Sequence, residues 1–177
     1  MEIEGKTIGI RTFKENDVSQ FYTAAIESVE HMHQFMPWCH PEYSIEECEA
    51  WVTSRAEAWA SADEYSFIVY SIESNELLGG VAINQLNAIH KIGNIGYWIR
   101  KRALNRGVAT EAVLLIAGFG FEQLNLNRLE IVMIPSNKAS IKVAVKAGAK
   151  YEGIMQSRLL VHNEALDACM YSIVKNA

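Results

Sequence analysis

The chain has 177 residues, a formal net charge of −5 and 50% hydrophobic residues. This length predicts one domain, residues 1–177, with a sizeable core. The acidic balance lacks the basic stripe typical of nucleic-acid binding, and no apolar run approaches the roughly 18 residues of a membrane helix. We therefore expect no nucleic-acid partner and no membrane partner. The three cysteines form no CxxC pair, which favours unpaired thiols and a cytoplasmic protein.

Hydrophobic periodicity predicts the elements in chain order. Alternation at 6–13 predicts a strand, and an apolar stripe at three- and four-residue spacing predicts a helix over 16–35. A second helix begins at Ser44, where S-x-x-E is typical of a capping box. The remaining predictions are strands at 65–73, 76–86 and 91–99, a helix at 108–124, a strand at 128–134, a helix at 137–148, and strands at 150–161 and 166–174. The order β-αα-βββ-α-β-α-ββ predicts a mixed α/β sheet flanked by helices.

The segment YWIRKRALNRGVATEAV, residues 97–113, carries the main functional signal. A strand ends there, a short loop with four cations follows, and a helix begins near Gly107. Helix N-termini carry unpaired N–H groups and roughly half a positive charge, so they attract phosphate. Gly107 allows close approach of the backbone to a ligand, and the small side chains of Ala109 and Thr110 leave the entrance open. The loop therefore predicts a phosphorylated ligand, with a solvated basic turn as the alternative.

The same loop resembles motif A of the GNAT N-acetyltransferases, Q/R-x-x-G-x-G/A, which reads L-N-R-G-V-A at 104–109. Leu104 replaces the Gln or Arg of the motif. IGYWI and ATEAV beside the loop, MPW followed by SIEECEAWV, and NRLEIVMIPSNKASIKVAVKAGAKYEGIM at 127–155 resemble the branch that acetylates serine or alanine N-termini of ribosomal proteins. The resemblance implies the GNAT fold, with a central mixed, mostly antiparallel sheet of about seven strands flanked by about four helices.

The resemblance also implies acetyl-CoA as co-substrate and no metal. The loop would hold the pyrophosphate through backbone N–H groups, and the strand before it would bind the pantetheine and polarise the thioester carbonyl. The acetyl-CoA contacts implied in this way are Trp98, Ile99, Lys101, Leu104, Asn105, Arg106, Gly107, Val108, Ala109, Thr110, Asn137 and Ser140. For Asn137 the alternative is a plain helix N-cap. Met36, Trp38 and His40 would border the acceptor cleft.

The family's catalytic acid corresponds here to Ser140. It lies one helical turn after Asn137 and would protonate the leaving thiolate. Many members use a Tyr seven residues after that Asn, where Ala144 stands in this chain. Water is therefore the alternative proton donor, with Ser140 as a passive packing residue.

The general base is open at this level. Some relatives carry a Glu where Leu159 stands here. Glu152, in the E-G turn, is the candidate, and Glu130 and Asp167 are alternatives that would act through a water relay. A solvated or structurally paired carboxylate is the competing interpretation for each. An N-terminal α-amino group has a pKa of about 8 and needs little help.

The implied activity is acetyl transfer to a primary amine by direct attack in a ternary complex. The favoured acceptor is the N-terminal amino group of a ribosomal protein, and a polyamine or aminoglycoside is the alternative. A non-catalytic CoA-sensing module is a further alternative, and a homodimer is possible because family members often dimerise. A metal site at His31, His33, Cys39 and His40 is disfavoured, because H-x-H spacing on a helix turns the rings to different faces.

Overall fold

A computed structural model describes residues 1–175 of the chain. Its strands are Glu2–Glu4 (β1), Ile8–Arg11 (β2), Tyr65–Ser71 (β3), Leu77–Asn87 (β4), Ile92–Ile99 (β5), Arg128–Met133 (β6), Lys150–Val161 (β7) and Glu164–Val174 (β8). Its α-helices are Val18–Ile26 (α1), Val29–Met32 (α2), Ile45–Ala60 (α3), Val108–Glu122 (α4) and Lys138–Lys146 (α5). The eight strands form one sheet in the order β1-β2-β3-β4-β5-β6-β8-β7, in which only β5 and β6 are parallel neighbours. The predicted fold class, a mixed and mostly antiparallel sheet with flanking helices, is confirmed.

The structure has one strand and one helix more than predicted. The extra strand, β1, has only three residues, two of them Glu, and pairs at the sheet edge, so it carries no hydrophobic pattern. The predicted helix over 16–35 is divided into α1 and α2. The break falls at Glu27 and Ser28. The Ser28 hydroxyl donates to the carbonyl of Ala24 at 2.6 Å and accepts the N–H of Lys101 at 3.0 Å.

Helices cover both faces of the sheet. Phe67 and Val69 of β3 face a core that includes Val113 and Ile116 of α4. The intervening Ile68 belongs to a second core on the opposite face, together with residues of α1 and α3. Because both faces are buried, the central strands consist of continuous apolar residues. This packing fixes the end of β5 and the start of α4 beside each other.

The predicted cap of α3 and the predicted unpaired thiols have clear structural counterparts. Ser44 caps α3, since its hydroxyl accepts the N–H of Glu47 and the Glu47 carboxylate accepts the N–H of Ser44, as the capping box predicts. The three cysteines are buried and unpaired. Within residues 1–175, no helix combines the length and the hydropathy that a membrane crossing requires. The same residues contain no cluster of three or more His, Cys, Asp or Glu suited to a metal ion.

Candidate active site

A cleft opens where β5 and β6 separate. The two strands pair in parallel only between Ile92–Asn94 and Arg128–Glu130. Beyond this short ladder lies a cleft of about 480 Å³, bounded by α2, β5, the loop before α4, the start of α4, β6, α5 and β7. The cleft therefore reaches the segment that the sequence singled out, and it exposes one edge of β5 from Ile95 to Ile99.

The backbone of β5 presents hydrogen-bonding groups to this cleft. The N–H of Arg100 donates to the carbonyl of Leu78 on β4 at 2.9 Å, and Trp98 stands opposite Gly80. In an antiparallel ladder the residues that bond the neighbouring strand alternate, so the N–H and C=O of Trp98 face β4. The corresponding groups of Ile99 face the cleft instead. Tyr97, two residues earlier, is oriented like Ile99. The C=O of Ile99 bonds Nε2 of His31, so the N–H of Ile99 and both backbone groups of Tyr97 are open to the cleft.

The N-terminus of α4 forms the second part of the cleft wall. Gly107 caps this helix in the left-handed region, with φ of +82°. A Cβ atom at this position would meet no atom within 4 Å, which indicates open space beside the backbone. The first residues of α4, Val108 to Thr110, also line the cleft. Unpaired N–H groups of this first turn are suited to an anion such as a pyrophosphate.

The cations of the basic loop have a different role from the one predicted. Arg100 is 4% exposed and pairs with Glu27 at 2.6 Å and with Glu76 at 2.8 Å. Lys101 pairs with Glu30 at 2.5 Å, and Arg102 pairs with Glu76. Of the four predicted cations, only Arg106 has no ion pair among the described residues. Phosphate binding in the cleft would therefore depend on the α4 backbone, since three of the four cations fix the loop to its neighbours.

Ser140 makes a contact that the sequence did not predict. Its hydroxyl lies 2.7 Å from the phenol oxygen of Tyr97, which also donates to the carbonyl of Ser140 at 3.3 Å. Burial raises the pKa of Tyr97 to about 12, so its phenol stays protonated at neutral pH and can donate. Only the alternation of IGYWI, which places Tyr97 on the same side as Ile99, could have indicated this residue.

Asn137 forms a helix N-cap, which was the alternative to a role in binding CoA. Its side-chain oxygen accepts the N–H of Ser140 at 3.0 Å, which makes it the N-cap of α5. The same side chain lines the cleft. The cap therefore orients the first turn of α5, which carries Ser140, toward the cleft.

Most of the predicted site residues line the cleft. Those that do are Met36, Trp98, Ile99, Leu104, Asn105, Gly107, Val108, Ala109, Thr110, Asn137 and Ser140. Lys101 does not, and its N–H is already bonded to Ser28. Trp38 packs on Phe21 with ring centroids 6.2 Å apart. Nε2 of His40 lies 3.2 Å from a carboxylate oxygen of Glu47. Neither Arg106 nor Glu152 lines the cleft.

The candidate bases also lie outside the cleft, which corrects the assignment of Glu152. Its carboxylate pairs with Arg128 and accepts the hydroxyl of Ser172 at 2.6 Å. These contacts lower its pKa to about 2, so it is a poor proton acceptor. Glu130 also pairs with Arg128, at 2.9 Å, and Asp167 accepts the N–H of Ser157. Among the described residues that line the cleft there is no carboxylate.

Glu152→Gln tests this correction. Because the folded-state pKa is lowered, the ion pair stabilises the protein above the unfolded pKa of about 4.5, and the stabilisation is lost as the pH falls toward about 2. We expect the variant to lose stability at neutral pH and to show a weaker fall in melting temperature across this acid range. Acetyl-transfer activity should remain that of the parent. A large loss of turnover at unchanged folding would restore Glu152 as a candidate base.

Comparison with known proteins identifies the family. A family model described as "Acetyltransferase (GNAT) domain" matches residues 7–150. The chain belongs to the GNAT acetyltransferases. The family prediction is thereby confirmed, and with it the enzyme class, an acetyl-CoA-dependent N-acetyltransferase.

Three similar proteins extend over nearly the whole chain. YjcK of Bacillus subtilis, provisionally named an N-acetyltransferase, is 28% identical over 162 residues, 90% of each chain. A Vibrio cholerae structure provisionally named a ribosomal-protein-serine acetyltransferase is 27% identical, with a TM-score of 0.85 and coverage of 99% of this chain and 98% of that one. RimL, a ribosomal L7/L12 alpha-N-protein acetyltransferase solved with coenzyme A, has a TM-score of 0.88 at 21% identity, covering 98% of each chain. At that identity RimL shows the fold alone.

Proposed function

We propose that this GNAT enzyme acetylates the N-terminal α-amino group of a protein, with acetyl-CoA bound along the cleft between β5 and β6. The observation that carries the proposal is the open edge of β5, where the backbone of Tyr97 and Ile99 faces the cleft. An extended pantetheine carries amide groups that pair with such an edge as a further strand would. The N–H of Ile99 would then polarise the thioester carbonyl as negative charge develops on its oxygen.

The other walls of the cleft fit the remaining parts of acetyl-CoA. The N-terminus of α4, capped by Gly107, would hold the pyrophosphate, with Arg106 close by in the same loop. Ser140 lies across the cleft on α5, where its hydroxyl would protonate the leaving thiolate. Holding both substrates in one cleft supplies much of the rate, because attack then needs no further encounter.

The charge of the cleft favours an α-amino acceptor over a polycation. A polyamine or aminoglycoside carries several positive charges, which need carboxylates to compensate their desolvation. The described residues that line the cleft include Lys142 and Lys146 but no Asp or Glu. A protein N-terminus brings a single positive charge and loses it before attack. The Vibrio cholerae relative, named for acetylation of a ribosomal protein serine, agrees with this choice.

Thiol release from acetyl-CoA tests the proposal. We expect turnover with peptides that begin with Ser or Ala, and none with the same peptides blocked at the N-terminus. Spermidine and an aminoglycoside form the opposing arm of the panel, and their turnover in place of the peptides would contradict the α-amino assignment. If CoA raises the melting temperature while every amine fails, the CoA-sensing alternative gains instead.

A further inference from the structure

His31 lines the cleft and has an unpartnered ring nitrogen. It lies in α2, and its side chain lines the cleft. Its Nε2 is 3.2 Å from the carbonyl oxygen of Ile99. A carbonyl oxygen can only accept, so Nε2 carries the hydrogen in the neutral ring and Nδ1 holds a lone pair. That Nδ1 atom is buried and has no hydrogen-bond partner in the described part of the chain.

We propose that His31 is the general base of the reaction, with Nδ1 as the atom that takes the proton from the acceptor amine, directly or through one water. The assignment rests on the proposed function. Buried polar atoms in native proteins nearly always have a partner. An amine or a water that enters from the cleft would supply the partner that Nδ1 lacks.

Elimination among the cleft residues leads to the same side chain. The titratable side chains that line the cleft, within residues 1–175, are His31, Tyr97, Lys142 and Lys146. Tyr97 keeps its proton because burial raises its pKa to about 12. The two lysines are exposed and carry no lone pair while charged. The carboxylates considered from the sequence all lie outside the cleft, which leaves the imidazole as the available proton acceptor.

The position of His31 also suits the chemistry. Its ring bonds the C=O of Ile99, and the N–H of that same residue faces the cleft as the donor proposed for the thioester carbonyl. The imidazole is therefore anchored to the residue beside which the reacting carbonyl would lie. A base is effective only within direct or one-water reach of the proton that it removes. The bond from Nε2 holds the imidazole next to the residue that would contact the thioester.

The proton and electron balance is complete without another reactant. The amine nitrogen uses its lone pair to form the new C–N bond, and the π electrons of the thioester carbonyl move to oxygen. Nδ1 of His31 takes one proton from that nitrogen while it is still an ammonium, before the bond forms, and water takes a second proton once the bond has formed. When the carbonyl re-forms, the C–S bond breaks and its electron pair goes to sulfur. The thiolate takes a proton through the Ser140 hydroxyl, which is replenished from solvent, and the imidazolium returns its proton to solvent.

His31→Gln in the full chain is the test, with His33→Gln as the matched control. The amide of Gln can still donate to the Ile99 carbonyl, but it has no basic nitrogen. His33 lies on the same segment, does not line the cleft, and also has a buried, unpartnered Nδ1. Its ring packs on His162, with centroids 4.6 Å apart. The control therefore matches the change in chemistry and in burial without touching the cleft.

We expect His31→Gln to lower kcat with a Ser-starting peptide about 30-fold near pH 7, at unchanged KM for acetyl-CoA. This lies below the usual range of about 100- to 10,000-fold for general catalysis, because an α-amino group with a pKa of about 8 is already partly neutral. The deficit should shrink toward about pH 9, where the amine loses its proton in water. The charged groups near the His31 ring are the Glu30–Lys101 ion pair and the two lysines that line the cleft, Lys142 and Lys146. All four side chains are unchanged in the variant.

The outcomes separate the base from the proposed function. Turnover within about threefold of the parent, an equal loss in His33→Gln, or a deficit that does not change with pH would each overturn the base assignment alone. A parent protein that acetylates no peptide would overturn the proposed function, and the base with it. Nitrogen NMR of the imidazole gives a readout that needs no acceptor. A hydrogen on Nε2 of His31 supports the assignment, and a hydrogen on Nδ1 overturns it.

Discussion

Gly107→Glu should abolish the rise in melting temperature that coenzyme A gives the parent protein. Gly107 caps α4 at φ +82°, with open space on the side where a Cβ would stand. A glutamate there places bulk and negative charge in the space proposed for the pyrophosphate. Two unit charges about 4 Å apart repel by about 1 to 4 kcal/mol between bulk water and a protein surface. Because this repulsion adds to the steric block, we expect CoA to bind at least about 100-fold more weakly.

Gly148→Glu is the control for backbone strain. Gly148 follows α5 at φ +83°, it also has open space around a Cβ, and it does not line the cleft. Both substitutions force a residue with a side chain into the left-handed region, at a cost of about 1 to 2 kcal/mol. Each should lower the melting temperature without ligand by about 2 to 8 °C. Only Gly107→Glu should lose the CoA-induced rise, and a retained rise would refute the α4 assignment.

Local sequence patterns predicted most of the fold because the interactions behind them are local. The capping box at Ser44 joins residues three positions apart, and α3 begins where it predicts. The strands beside the core are buried on both faces, so they form apolar runs that differ from the helical stripes. Where a distant contact decides, prediction failed. The stripe through Val29 and Met32 predicts one helix, but Ser28 is bonded to Lys101, 73 residues away, and the helix divides there.

The candidate site was predictable where the backbone forms it and not where distant side chains do. Gly107 and the end of β5 were found through motif A, since a ligand bound by backbone N–H groups needs a particular chain path. The role predicted for the loop cations, binding of a phosphorylated ligand, did not anticipate their ion pairs. Arg100 and Lys101 stand in a basic run, yet the glutamates that pair with them, Glu27 and Glu30, lie more than 70 residues earlier. Nothing in the local pattern of either segment indicates that pairing.

The hydroxyl pair of Ser140 and Tyr97 shows the same limit. The two residues are 43 positions apart, and only the packing of α5 against the end of β5 brings their oxygens to 2.7 Å. The sequence indicated Ser140 through its resemblance to a family motif. It gave no reason to associate a tyrosine in a strand with it. A contact of this kind requires the tertiary structure.

Ser140→Ala should lower kcat about 100-fold while the CoA-induced rise in melting temperature remains. The proposed role of this hydroxyl is to protonate the leaving thiolate, which develops charge only as the C–S bond breaks. An interaction made mainly in the transition state affects kcat more than substrate binding. Parent-like turnover would assign the proton to water instead.

Tyr97→Phe should lower kcat about tenfold, and in the Ser140→Ala background it should cost almost nothing more. When Ser140 gives up its proton, its oxygen gains negative charge, and the hydrogen bond donated by Tyr97 strengthens. The raised pKa of Tyr97 keeps that donor in place at neutral pH. Tyr151→Phe, at an exposed position on β7, controls for the loss of a phenol hydroxyl and should leave kcat unchanged.

A purely structural Tyr97 predicts a different result from this cycle. If the phenol only supported the packing of α5, its loss would lower kcat by the same factor with or without the Ser140 hydroxyl, and the two losses would multiply. If it acts through that hydroxyl, the double variant should equal Ser140→Ala alone. The difference between about tenfold and no further loss is large enough for steady-state kinetics to decide whether Tyr97 positions the proposed acid or merely packs beside it.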